Sequence, residues 1–275
     1  MKRMRDYSLS VNLSASERAK REIIHRTYRL QRTNINKEFN QYLIGKYCNF
    51  TRTANFWDLF DKLDGIVDLS DPDTSLPNSI HALQTAEAIH NDANQPDWMA
   101  LCGLIHDMGK ILYLDGCDVD GTSKETQWAL VGDTFATGLS ISDSVVLPEY
   151  NSCNKDHTSD SLELPAMNCG LHNLSMSFGH DEYMYRLLIA NRHNLPLEAE
   201  YIIRYHSLYL WHTENAYGEY ENQIDAKMKP VVQQFNKYDL YTKDDSKPLA
   251  WSPQLRAYYS QLVSKYISSN LIIKY

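Results

Sequence analysis

The chain has 275 residues, 43% of them hydrophobic and 23% charged, with eleven glycines and nine prolines, a balance that argues against a disordered chain or a fibrous repeat. Twenty-seven basic against thirty-five acidic side chains leave a net charge of −8, which repels a phosphate backbone over most of the surface, so nucleic acid is not an expected partner. Five cysteines (Cys48, Cys102, Cys117, Cys153, Cys169), odd in number and without a C-x-x-C pair, speak against a disulfide framework or a thiolate zinc site.

No apolar run approaches the ~20 residues that cross a bilayer, and the opening MKRMRDYSLSVNL lacks the apolar core of a secretory signal. A cytoplasmic protein without a membrane partner is expected, a monomer by default.

From Ser14 to Leu43, Ile23, Ile24, Tyr28 and Leu30 recur at helical spacing among charges, which predicts one or two amphipathic helices, and Asn55 to Val67 repeats the pattern. Asp71-Pro72-Asp73 and Pro77-Asn78 punctuate the chain before HALQTAEAIH, placing His81 in the first turn of a helix. Asp97 is the expected N-cap of WMALCGLIHDMGKIL, an apolar helix that carries His106 and Asp107 near its end. Asp115 to Cys169 shows little periodicity and reads as a long irregular excursion. Helices are then predicted over HDEYMYRLLIAN, over LEAEYIIRYHSLYLWH after Pro196, and over KPVVQQFNKYDLYTK, where Pro230 suits a first turn. Strand-like alternation is scarce. The expected class is all-α, one helical bundle with a long loop.

Histidine and aspartate are costly to bury, yet here they fall on the apolar helices, so something must satisfy them. The adjacent pair His106-Asp107 is the sharpest signal: an imidazole and a carboxylate on consecutive residues can both reach a metal where a helix end is distorted, and a carboxylate can bridge two ions. His81, then His106-Asp107, then a distant Asp239 reproduces the H…HD…D order of the HD-domain superfamily, and His180 and His206 would complete a second site. Six nitrogen and oxygen ligands favour iron or manganese over structural zinc.

Longer motifs narrow the reading. DLSDPDTSLPNSIHALQTAEAI (68 to 89), GLIHDMGK (103 to 110), QWALVGDTF (127 to 135), FGHDEYMY (178 to 185), IRYHSLYLWHT (203 to 213) and FNKYDLYTK (235 to 243) together resemble the myo-inositol oxygenase family, from about Tyr28 to about Tyr259. The resemblance implies a single HD-type helical catalytic domain over residues 21–275 behind an N-terminal lid segment, 1–20. It implies metal ligands His81, His106, Asp107, His180, His206 and Asp239, with Asp107 bridging two iron ions, Fe(II) and Fe(III). The implied reaction is the four-electron opening of myo-inositol to D-glucuronate with dioxygen as co-substrate, with Lys110 and Asp107 as catalytic side chains. Implied substrate contacts are Asp68, Leu69, Ser70, Lys110, Gly132, Asp133, His206, Ser207 and Lys243, groups that suit a neutral polyol.

Taken alone, Asp68 and Asp133 read as turn or cap residues. Met4-Arg5-Asp6-Tyr7 is the nearest match to the family's F-R-N-Y lid segment, which makes Arg5 the lid-arginine candidate, and a covering role is expected for the N-terminal segment and for residues 140–170. DGCDVDGTSKE (115 to 125) looks lengthened relative to the family and is expected at the rim of the site. His25, His90, His157, His172, His193 and His212 take exposed or hydrogen-bonding roles by default, and the nineteen tyrosines read as core packing. HDMGK alone also resembles HD-domain phosphohydrolases, the alternative reading, but only Lys110 and Lys243 accompany the ligands, few basic groups for a phosphate substrate. A non-catalytic binding module would need a broken ligand, and all six are in place.

Overall fold

Ser14 opens the first helix with a reciprocal cap: its hydroxyl accepts from the Glu17 amide, and the Glu17 carboxylate accepts from the Ser14 amide. The computed structural model describes residues 7–9, 13–72, 76–241 and 249–275. From that cap run α1 (Ala15–Asn34) and then α2 (Lys37–Tyr47), whose Asn36 side chain accepts from the Phe39 amide. The strand β1 (Thr53–Asn55) leads into α3 (Phe56–Phe60), and the helix expected as far as Val67 tightens instead into a 3-10 segment, Asp61–Gly65.

The central layer follows as α4 (Asn78–His90) and α5 (Asp97–Ile105). Every α5 residue from Met99 to Ile105 is buried, because α4, α7, α9 and α10 enclose it on successive sides. Gly103 sets the closeness of the α4–α5 pair: a Cβ there would lie 2.8 Å from the Ala86 Cα, so any side chain would push the helices apart. The second half contributes α6 (His180–Ala190), α7 (Leu197–Tyr205), the short α8 (Tyr209–His212), α9 (Gln223–Tyr241) and α10 (Pro253–Tyr266). The closing strand β2 (Ile272–Lys274) pairs antiparallel with β1, Ala54 opposite Ile273. The class is all-α, this ladder being the only sheet among the described residues. No described helix is long and apolar enough to cross a membrane.

Several boundaries differ from the sequence expectation. Asp97 is not the cap of α5, since Pro96 holds that position; its carboxylate instead receives Lys265 Nζ (2.7 Å) and the Tyr266 hydroxyl (2.6 Å), tying α10 to the start of α5. Pro230 sits inside α9 rather than at its start, where it has no N–H to return to the Ala226 carbonyl. The α10 helix was not anticipated, because its apolar positions are diluted by tyrosine, serine and glutamine.

The excursion between 115 and 169 is pinned to the first two helices. Asn154 donates to the carbonyls of Arg32 (2.7 Å) and Ile35 (2.8 Å), and the Asp156 carboxylate accepts from the amides of Lys37 (2.7 Å) and Gly138 (2.6 Å). In the 115–125 stretch, Asp120 accepts from Lys46 and from the Tyr47 hydroxyl, both at 2.7 Å. Backbone that would be hard to satisfy in a free loop is thus bonded to α1 and α2.

Candidate functional site

On an unbroken helix, side chains at i and i+1 point about 100° apart and do not converge. The α5 helix therefore has to end where it does. His106 is its C-cap, Asp107 moves to φ −91° and ψ −1°, and the chain continues as a 3-10 segment, Met108–Leu114, which lets both side chains face one centre. Gly109 then touches α6: a Cβ on it would lie 2.0 Å from the His180 carbonyl oxygen. The contact brings the first residue of α6 against the 3-10 segment that carries Asp107.

Four imidazoles meet at the Asp107 carboxylate. Oδ2 lies 4.0 Å from His81 Nε2 and 3.7 Å from His106 Nε2, whereas Oδ1 lies 3.2 Å from His180 Nε2 and 3.9 Å from His206 Nε2. Asp239, reaching in from α9, places Oδ1 2.9 Å from His81 Nε2 and 3.6 Å from His106 Nε2. The backbone orients three of the rings. A carbonyl only accepts, so Nδ1 carries the proton where it meets Gly103 O (His106, 2.9 Å), Leu130 O (His180, 2.7 Å) and Ile203 O (His206, 3.1 Å), and in a neutral ring Nε2 then presents a lone pair to the centre. All six side chains are buried. Groups drawn from them satisfy the mutual distances a metal ion needs: His81, His106 and Asp239, and also His106, Asp107 and His206. The six residues predicted as ligands are thus brought together, from five different helices or helix ends.

The electrostatics are those of an enclosed site. Burial pushes His106 down to about 3, against the nearby Asp107 and Asp239 carboxylates. Burial also opposes a charge on His180, but the Asp181 and Asp107 carboxylates outweigh it and push that ring up to about 10. Asp107 is held far below the usual carboxylate range, the Lys110 ammonium overcoming the effect of its burial.

Lys110 joins this centre to a second polar cluster. Its buried ammonium donates to Asp107 Oδ2 (2.9 Å), Asp68 Oδ2 (2.9 Å) and Asn78 Oδ1 (3.0 Å). Asp68 Oδ1 accepts from both the amide (2.8 Å) and hydroxyl (2.7 Å) of Ser70, so the turn reading and the site reading of Asp68 apply together. A narrow polar cleft of about 50 Å³ opens over the histidines. Asp68, Ser70, Lys110, Gly132, Asp133 and Ser207 all line it, and Tyr28, Asp71 and Tyr209 complete the wall.

Some expectations need correction. Leu69 does not line the cleft; its amide donates to Gln127 Oε1 (3.2 Å) and its side chain faces a separate groove with Leu30 of α1. The 115–125 stretch is absent from the rim, being held to α2 by Asp120, and none of residues 140–170 lines the cleft either. That longer stretch acts at one remove, the Val146 amide donating to Asp133 Oδ2 (2.8 Å). His212 takes the hydrogen-bonding one of its two expected roles, buried with Nε2 against the His206 carbonyl (3.1 Å) and the Asn236 side chain (3.1 Å), and burial pushes it down to about 4. Arg5 and Lys243 lie outside the described residues.

Three functional neighbours were missed. Arg32 is fully buried and donates to Asp133 Oδ2 (3.0 Å), while Gln31 donates to the carbonyls of Val131 (2.9 Å) and Asp133 (3.1 Å), so α1 clamps the 131–133 wall. Their stripe with Tyr28 at spacings of three and four was the available signal. Asp181 is buried beside His180 and belongs with His180 and His206 to a third group able to hold a metal ion.

The family model described as Myo-inositol oxygenase matches residues 21–275. Inositol oxygenase of Sus scrofa is 42% identical over 249 residues, covering 88% of this chain and 85% of that protein. That of Bos taurus is 43% identical over 246 residues (87% and 83%), and that of Dictyostelium discoideum 40% identical over 221 residues (78% and 73%). With the buried His/Asp centre at its middle and the family match spanning nearly all of its length, this chain belongs to the myo-inositol oxygenase family.

Proposed function

We propose that this chain is a dioxygen-dependent inositol oxygenase, opening the ring of myo-inositol to D-glucuronate over two iron ions. One observation carries the reading: Asp107 divides the imidazoles between its two oxygens, His81 and His106 at Oδ2, His180 and His206 at Oδ1. A carboxylate with a pair of imidazoles at each oxygen is the donor arrangement of a bridged pair of ions. One ion would be held by His81, His106, Asp239 and Asp107, the other by His180, His206 and Asp107. The donor set fits: it is entirely nitrogen and oxygen, and carbonyl-bonded Nδ1 atoms turn three Nε2 atoms inward. When bound, the ions supply Lewis acidity toward substrate hydroxyls and a one-electron couple for dioxygen.

The rest belongs to the chain. Burial opposes a charge on Lys110, but Asp107 and Asp68 outweigh it and raise its pKa further, so it remains an ammonium beside the centre and stabilises negative charge on a substrate hydroxyl. Asp68, Ser70, Asp133 and Ser207 offer acceptors and hydroxyls at fixed positions, and the Gly132 backbone completes a surface suited to a neutral polyol. Asp133 is held in place as an acceptor because Arg32 and the Val146 amide both donate to one of its oxygens. Tyr28 walls the cleft and is backed edge-on by Tyr7 at 5.9 Å, an aromatic pair that helps exclude water from that side.

The test is oxygen consumption by the iron-loaded chain with myo-inositol, with glucuronate measured in parallel. One glucuronate per dioxygen is expected. Phosphate release from phosphorylated substrates without inositol-dependent oxygen uptake would replace the oxygenase reading with a phosphohydrolase one.

A further inference from the structure

Glu182 and Arg204 are buried charges, 2% and 7% exposed, that the proposed chemistry does not use. The carboxylate takes the guanidinium at two points, Nε to Oε2 (2.7 Å) and Nη2 to Oε1 (3.3 Å), and Oε1 also receives Arg186 Nε (2.7 Å). Nη1 of Arg204 donates to the Tyr205 hydroxyl (3.2 Å), and its guanidinium carbon lies 4.6 Å from the centre of the Tyr185 ring. A planar fork gripped at two points and stacked on an aromatic ring has one geometry open to it.

The place of the pair on its helices ties it to the centre. The α6 helix starts at His180 and α7 ends at His206, so the two run in opposite directions with these ends together, His180 Nε2 standing 3.3 Å from His206 Nε2. Glu182 comes two residues after His180, and Arg204 two before His206. On each helix that is a step of about 3 Å along the axis and about 200° around it, so the charged pair joins α6 to α7 on the side turned away from the imidazoles. The two rings are oriented separately through Nδ1, His180 by Leu130 O and His206 by carbonyls of its own helix, which leaves their spacing to the way α6 sits against α7. A buried ion pair adds little net stability over apolar side chains of similar volume, and what it supplies in their place is a fixed geometry.

Resting on the two-metal reading above, we propose that Glu182 and Arg204 are positioning residues: their two-point clasp sets the separation of α6 and α7, and with it the spacing at which His180 and His206 receive their ion.

Co(II) titration of the metal-free full chain tests this without recourse to turnover, because stoichiometry counts the ions and visible absorption reports each ligand field. Wild type should bind two ions, and His180→Ala identifies which absorption belongs to the His180 side. Glu182→Leu combined with Arg204→Met replaces the clasp by apolar contact, while Arg186, with its side chain 36% exposed, can turn to water. The melting temperature of this metal-free double variant should stay within a few degrees of wild type, yet the His180-side ion should bind about tenfold or more weakly with altered absorption, the other ion staying within about twofold. Arg204→Lys, which keeps the charge but not the fork, should weaken the same ion by a smaller factor. A folded double variant that matches wild type at both ions, or that weakens both equally, overturns this proposal alone. Should the double variant not fold, Arg204→Lys decides, and wild-type affinity and absorption in that variant overturn the proposal. Wild type taking fewer than two ions overturns the two-metal reading and this proposal together.

Discussion

Gly109→Ala isolates the contact between the 3-10 segment and α6. A Cβ at residue 109 would sit 2.0 Å from the His180 carbonyl oxygen, where real contacts begin at about 3.0 Å, so the two elements must separate by roughly 1 Å. Neither neighbour yields cheaply, since the obstacle is backbone. His180 is also held by Leu130 O through its amide (3.0 Å) and its ring (2.7 Å), and the 3-10 segment carries Asp107 and Lys110 on its near side. The separation falls directly on the spacing between Asp107 Oδ1 and His180 Nε2, 3.2 Å in the native chain. An overpacked site of this kind costs about 1–3 kcal/mol of stability, and a displacement near 1 Å at a reacting centre lowers kcat/KM by about 100-fold. Urea unfolding of the metal-free chain and inositol-dependent oxygen uptake of the iron-loaded chain measure the two effects. Wild-type behaviour in both, within twofold in rate, would refute the claim that this contact sets the geometry of the centre.

Lys110→Met leaves the buried Asp107 and the partly buried Asp68 without their shared cation, so metal-free stability should fall by about 3–5 kcal/mol in urea titration, with a smaller gap once metal neutralises Asp107; a loss below about 1 kcal/mol contradicts the shared-cation account. Arg32→Met removes an ion-pair partner of Asp133 and should raise KM for inositol more than it lowers kcat, with stability lowered by about 3–5 kcal/mol; an unchanged KM would show that the clamp is structural only. Chelator removal of bound metal should lower the melting temperature measured by calorimetry, because ions that bind only the folded chain stabilise it by ~3 kcal/mol at a hundredfold excess over Kd; an unmoved transition counts against a buried site. Native-state maleimide labelling should modify exposed Cys153 and spare Cys102 and Cys48, whose thiols burial pushes up, that of Cys48 to about 12; labelling of Cys102 before unfolding would show that α5 is less closed than described.

The helical class and the positions of the six histidine and aspartate candidates were legible because each lies on an apolar stretch where an unpartnered polar group is expensive. His81 near the start of α4 and His106-Asp107 at the end of α5 could be located from punctuation and apolar density alone. What stayed hidden depends on long-range packing. Asp181 reads as an acid favoured by a helix start, and its place in the centre appears only when Thr134, His180 and His206 stand beside it. Arg32 reads as a solvated charge on an amphipathic helix until residues 133 and 151 fold over it. Pro230 looks like a helix start because local propensity places it there, and the tertiary contacts of α9 with α4, α5 and α7 override that preference.

The scattering of the donors along the chain bears on how such a centre can be assembled at all. His81 and Asp239 meet across 158 positions, and His180 and His206 reach Asp107 only after the excursion from 115 to 169 has closed onto α1 and α2. On a ribosome, a chain synthesised only as far as α8 would already contain His180, His206 and Asp107, while the set around His81 would still lack α9. The His81 side of the centre is therefore the last to be closed, when α9 docks.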